Sequence, residues 1–200
     1  LNEKDGEANI SCGSPAIEFL LWGQDLSADG PGNRAHTDYT TADNAGRRGD
    51  YLRAVTNLVV EKLEGLVAEW VPDKDNYRAE FLKLPSSKAL EKIMTGMSML
   101  SGFEMAAERL NVAYDTKAQE DEHSCFSDTT HNDMIYDLTG IHNVWTGSYK
   151  ELSGPGLQVL AQGLKPELAG QLGSKIEDSV AAAKAIPVPF DQAILGEDVA

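Results

Sequence analysis

Apolar residues recur along this chain at helical spacing, and alternating strand patterns are nearly absent. Residues 50–70 carry Tyr51, Val55, Leu58, Val59, Leu63, Leu66, Val67 and Trp70 on one stripe, the i, i+3, i+4 pattern of an amphipathic helix, and Pro72 closes it. A shorter helix is predicted over 76–84. Pro85-Ser86-Ser87 divides it from the next, with a serine as N-cap. That next helix covers about 87–114, with a stripe of Leu90, Ile93, Met94, Met97, Leu100, Glu104, Ala107, Asn111 and Tyr114. At this period Glu104 and Asn111 fall on the inward face. A polar connector over 115–128 leads to a helix capped by Asp128 or Thr129 and carrying His131, Met134, Ile135 and Leu138. Gly140 is read as an interruption, with 141–145 continuing the helical path. Gly154-Pro155-Gly156 marks a break, and helices over 157–164 and 166–186 follow, ended by Pro187 and Pro189. The fold class predicted is all-α: an antiparallel helical bundle with one long ordered loop, residues 23–48. A loop of that length tends to be functional or to cover a site.

One predicted helix differs from the rest. In Pro15-Ala16-Ile17-Glu18-Phe19-Leu20-Leu21-Trp22 every residue except Glu18 is apolar. Pro15 suits the first turn, where its missing N–H would have no partner. A helix apolar around its circumference is expected to be buried, which would carry Glu18 inside. A buried carboxylate needs a cation, a donor cluster or a proton. Glu18 is therefore a candidate ligand or acid/base group, and an ion pair with an arginine is the plain alternative. Glu104 is a second inward carboxylate, with Glu108 and Arg109 close in sequence; a Glu–Arg lock between helices is its plain reading.

Charge narrows the choice of partner. A net charge of −15 and a pI near 4.5 argue against nucleic acid and anionic membrane, which need a basic footprint. No apolar run reaches the ~18 residues of a membrane span. A chain of 200 residues supports one sizeable core, or one domain with extensions. Residues 1–9 are polar and read as a loop, and a chain beginning at Leu1 reads as a mature or truncated piece of something longer. Cys12 and Cys125 form no CxxC motif; they are a disulfide in an oxidising compartment or two buried thiols. HExxH, P-loop, GxSxG and GxGxxG motifs are missing. His123 follows Glu120-Asp121-Glu122 and precedes Ser124, Ser127 and Asp128. Carboxylate, hydroxyl and imidazole together suit Fe(III), Mn or Zn, and a solvated acidic loop is the alternative.

The segment Gly13-Ser14-Pro15-Ala16-Ile17-Glu18-Phe19-Leu20-Leu21-Trp22-Gly23-Gln24-Asp25 resembles the signature of the imelysin-like family, peptidase family M75, which includes the iron-regulated protein A group. That signature reads Gly-x-His-x-x-Glu, then an apolar run and Trp-Gly. The likeness continues through Asp29-Gly30-Pro31-Gly32-Asn33-Arg34 and Leu100-Ser101-Gly102-Phe103-Glu104 with Glu108-Arg109. It recurs in Gln119-Glu120-Asp121-Glu122-His123-Ser124-Cys125-Phe126-Ser127-Asp128, in Thr130-His131 and in Ile186-Pro187-Val188-Pro189-Phe190-Asp191-Gln192.

The resemblance implies that residues 1–200 are the C-terminal portion of an imelysin-like protein, with a partner helical bundle upstream and outside this chain. It implies a periplasmic or cell-surface place in a bacterial envelope and a link to iron or haem acquisition. One departure matters: Pro15 occupies the position of the signature His and has no ligand atom. The function implied is binding, with a metallopeptidase as the alternative and a helical scaffold with a decayed metal site as the third reading. The implied metal ligands are Glu18, His123 and Glu104, with Asp25, Glu108, Arg109, Asp128 and His131 around them, and no catalytic residue is assigned. The cofactor implied is iron or another divalent or trivalent metal, weak or absent because of Pro15. The resemblance also implies a Cys12–Cys125 disulfide, since both cysteines flank motifs expected to converge. Without an upstream bundle, Ile17, Leu20, Leu21 and Trp22 are expected to be exposed or buried against another chain.

Overall fold

The computed structural model describes residues 11–28 and 30–196; the expected loop over residues 1–9 and the Asp29 of the loop motif lie outside them. The described residues are all-α, with a single two-stranded hairpin, and they fall into two compact units that part between Ile93 and Met94.

In the first unit, α1 (Ser14–Trp22) packs on α2 (Ala45–Ala68), and α3 (Tyr77–Lys83) follows. Pro15 stands in the first turn of α1, as its fixed φ favours. Leu20 and Val55 are the buried apolar residues here. The expectation that α1 is enclosed is corrected: Phe19, Leu21 and Trp22 are 39%, 46% and 36% exposed. The α2 stripe is likewise covered only near its start, and Leu63, Leu66 and Val67 are exposed. Length explains this in part. The 9 residues of α1 span about 13 Å, whereas the 24 residues of α2 span about 36 Å. At the far end of α2, Trp70, Tyr77 and Phe81 stack with centroids 5.4–6.1 Å apart. Asn76 ties this corner: its Oδ1 accepts from the Ala79 N–H, and its Nδ2 donates to the Ala68 and Val71 carbonyls.

The next helix, α4 (Ser86–Ser98), runs into a π-helical segment, Met99–Asn111, and then into α5 (Val112–Thr116). The single helix expected over 87–114 thus exists as a continuous path with altered winding. Hydrogen bonds from i to i+5 widen the turn and rotate the side chains out of the α-helical stripe. Met105 is buried in the core, with Leu100 and Leu110 packed against it, and Glu104 and Asn111 are exposed, which overturns the expectation that they point inward.

In the second unit, α6 (Thr130–Thr146) packs against α7 (Leu157–Leu164), α8 (Pro166–Ala185) and the π segment. Met105, Met134, Leu138, Ile141, Trp145, Ala169, Ile176 and Ala183 form its core. Ala113 of α5 packs with Phe190 and Ile194 of α9 (Phe190–Leu195) in a smaller cluster. Gly140 does not interrupt α6; no side chain is needed at this exposed position and the backbone bonds continue. The helix stops at Gly147, where φ is 73° and the chain crosses Gly154 and Gly156 too closely for a Cβ. Between them lies a hairpin of β1 (Ser148–Tyr149) and β2 (Leu152–Ser153), with Tyr149 opposite Leu152.

Candidate functional site

The motif residues gather at one place in each unit. In the first, the loop after α1 folds back over the carbonyl end of that helix. The Phe19 carbonyl accepts from the Gly23 N–H at 2.8 Å and from Arg34 Nη2 at 3.0 Å. The Leu20 carbonyl accepts from the Tyr39 hydroxyl, and the Trp22 carbonyl from the Arg34 N–H at 2.8 Å. Carbonyls that a helix end leaves without internal partners are thereby satisfied. Arg34 also pairs with Asp38 at 2.8 Å and lies over the Phe19 ring at 5.1 Å. Gly32 makes the approach possible: a Cβ there would lie 2.6 Å from the Trp22 carbonyl oxygen. The Gly30–Arg34 motif is therefore the cap of α1. Glu18, one residue before the capped carbonyls, is half-buried. Asp25 is buried, and its Oδ1 accepts the Ser27 N–H at 3.0 Å, as an aspartate does in a turn.

In the second unit, the connector before α6 is fastened to the first turns of that helix. Buried Glu122 accepts from the Thr130 hydroxyl at 3.0 Å, and Thr130 Oγ1 accepts from the Ser124 N–H at 3.0 Å. The Ser124 hydroxyl donates to Asp133 Oδ2 at 2.6 Å. His123 is half-buried, with Nδ1 3.8 Å from the same Asp133 oxygen. Asp137 lies one turn further along α6. Burial raises the proton affinity of its carboxyl, His123 opposes that, Asp133 adds to it and Arg109 opposes it.

The expected site residues divide accordingly. Of these, His123 lies beside Asp133, and the charges of His123 and Arg109 both act on the Asp137 carboxyl. Glu104 is exposed and 4.0 Å from Arg109 of the same π segment, so this pair is not the lock between helices that the plain reading expected. Glu108 is exposed; Asp128 is half-buried at a positive φ of 55°. His131 is half-buried, and its Nδ1 has no hydrogen-bond partner among the described residues. Cys12 and Cys125 are half-buried, and the structure does not form the implied disulfide. Sequence reasoning passed over Asp133 and Asp137. Their i, i+4 spacing beside Met134 and Leu138 was the available signal.

The described residues form no resident metal site. Among the described residues, no three His, Cys, Asp or Glu side chains gather closely enough to hold a metal ion. The Asp133 carboxylate near His123 accepts instead from the Ser124 hydroxyl and lies 3.8 Å from His123 Nδ1.

The family model described as Imelysin, peptidase family M75, matches residues 2–200. The chain belongs to the imelysin family. Within that family's signature, the Trp-Gly step ends α1 and its cap, and the acidic stretch around His123 is the connector fastened to α6. No curated protein matches the chain. Among the described residues no helix is long and apolar enough to cross a membrane.

Proposed function

We propose that this imelysin-family protein serves iron acquisition in the periplasm or at the cell surface of a bacterial envelope, by binding an iron-containing cargo and not by hydrolysing peptides. The observation that carries the reading is Pro15 in the first turn of α1. Three residues before Glu18, it holds the helical position from which the signature His would share a face with that carboxylate. A metallopeptidase needs a metal held open for water and a base beside that water, and proline supplies neither ligand nor base. Binding of a chelated cargo asks for less: hard oxygen donors and one imidazole. Each unit is proposed to offer donors of its own: Glu18 in the first, and His123 with Glu104 at the rim in the second. The exposed Leu21 and Trp22 face is the proposed seat of an upstream helical bundle.

The test is hydrolysis of unfolded casein with and without chelator, beside ferric citrate binding by the same preparation. The reading expects ferric citrate to bind and casein to stay intact. Chelator-sensitive cleavage that Glu18→Ala abolishes, with helix content unchanged, would overturn it.

A further inference from the structure

A half-open apolar cavity of ≈ 530 Å³, with Leu164 and Leu168 exposed at its mouth, lies entirely within the second unit, between the start of that unit's helical path and α6, α7 and α8. Its volume falls in the range of small-molecule sites. The wall is hydrocarbon: Leu138, Ile141, Trp145, Leu157, Leu160 and Ile176 make much of it. Polar side chains at the wall are three serines and two lysines. The Ser101 hydroxyl donates to the Ser98 carbonyl and the Ser179 hydroxyl to the Lys175 carbonyl, so these donors are spent within their own helices. Lys165 and Lys175 differ: neither forms an ion pair among the described residues. Lys165 precedes the first residue of α8, and Lys175 lies about 15 Å further along the helix.

This wall selects by chemistry. A ligand with a polar body would lose its hydration and find few hydrogen bonds in return. A hydrocarbon body loses nothing by entering, and one anionic head is what an unpaired ammonium at the edge takes. Two such ammonium groups beside one apolar cavity are notable in a chain of net charge −15. We propose that this cavity binds a long-chain fatty acid, its acyl chain against Trp145 and its carboxylate at Lys165 or Lys175. The site shares no residue with the groups around His123.

The probe is cis-parinaric acid, a fatty acid that fluoresces when its chain leaves water, titrated into the full chain and then displaced by dodecanoate or by methyl dodecanoate. Binding of one probe per chain is expected, with dodecanoate displacing it about tenfold better than the neutral ester, the effect of one charge-assisted contact. The double variant Lys165→Glu/Lys175→Glu, altered at two exposed positions, should weaken the probe by about tenfold or more with helix content unchanged. Ala161→Trp, which fills the cavity, should abolish binding. Absence of probe binding overturns the proposal. So does equal affinity in the charge-reversed variant, or equal displacement by acid and ester. A concentration-dependent dimer on gel filtration that excludes the probe would show that a second copy of the chain occupies the cavity, and it also overturns the proposal.

Discussion

Replacing Arg34 by alanine tests whether the loop motif exists to hold the end of α1. The guanidinium makes one charge-assisted bond to the Phe19 carbonyl at 3.0 Å, an exposed bond and so worth about 1.5 kcal/mol, the low end for a charged donor. Its place over the Phe19 ring adds about 0.5–1 kcal/mol, and the half-screened pair with Asp38 up to about 1 kcal/mol. The backbone bond from Arg34 to Trp22 and the Tyr39 hydroxyl bond to Leu20 survive the substitution. The net loss is then about 3 kcal/mol of local stability, and at 1.4 kcal/mol per decade this is roughly a hundredfold. Amide hydrogen exchange reads such local opening directly. The amides of Gly23 and of residue 34, whose acceptors are Phe19 and Trp22, should exchange about a hundredfold faster in Arg34→Ala. Arg34→Lys keeps the charge but loses the fork that serves Phe19 and Asp38 together, so it should fall between the two. An acceleration below about threefold in Arg34→Ala would refute the argument, because the cap would then be held by other contacts.

Three further outcomes are expected. Gly32→Ala should destabilise the first unit by about 1–3 kcal/mol, because its Cβ would meet the Trp22 carbonyl oxygen at 2.6 Å; urea unfolding followed by tryptophan emission measures it. Asn76→Ala removes the N-cap of α3 and two bonds to the end of α2, and should cost about 2 kcal/mol, seen as faster exchange at Ala79. Burial raises the Asp137 carboxyl in the folded state, so its contribution to stability is complete below the unfolded carboxylate range and is lost as pH rises through the raised folded value. Asp137→Asn should therefore gain stability over the wild type at pH 7 and lose that advantage in acid. Equal urea midpoint differences at both pH values would show that Asp137 is not held in this way.

The helical skeleton was legible because it is written locally. The spacing of apolar residues and the prolines placed α7 at its observed bounds and α8 and α3 to within a residue or so. The π segment was not legible, since an i+5 register leaves no mark on a stripe read at 3.6 residues per turn; Glu104 was turned inward for that reason. The burial of Glu18 was overestimated because an apolar helix predicts that something covers it, and what covers it is a tertiary fact. His123 was legible as chemistry, but the aspartates that surround it lie on a different element, α6, and only the folding of the connector joins them.

Equilibrium dialysis of the wild type and Glu18→Ala against ferric citrate at neutral pH tests the central claim most directly. The account predicts that the wild type retains iron and that the variant retains it with affinity lower by about tenfold or more, its helix content unchanged. Equal retention by the two proteins would remove Glu18 as a donor, and no retention by either would contradict the binding function and leave a helical scaffold.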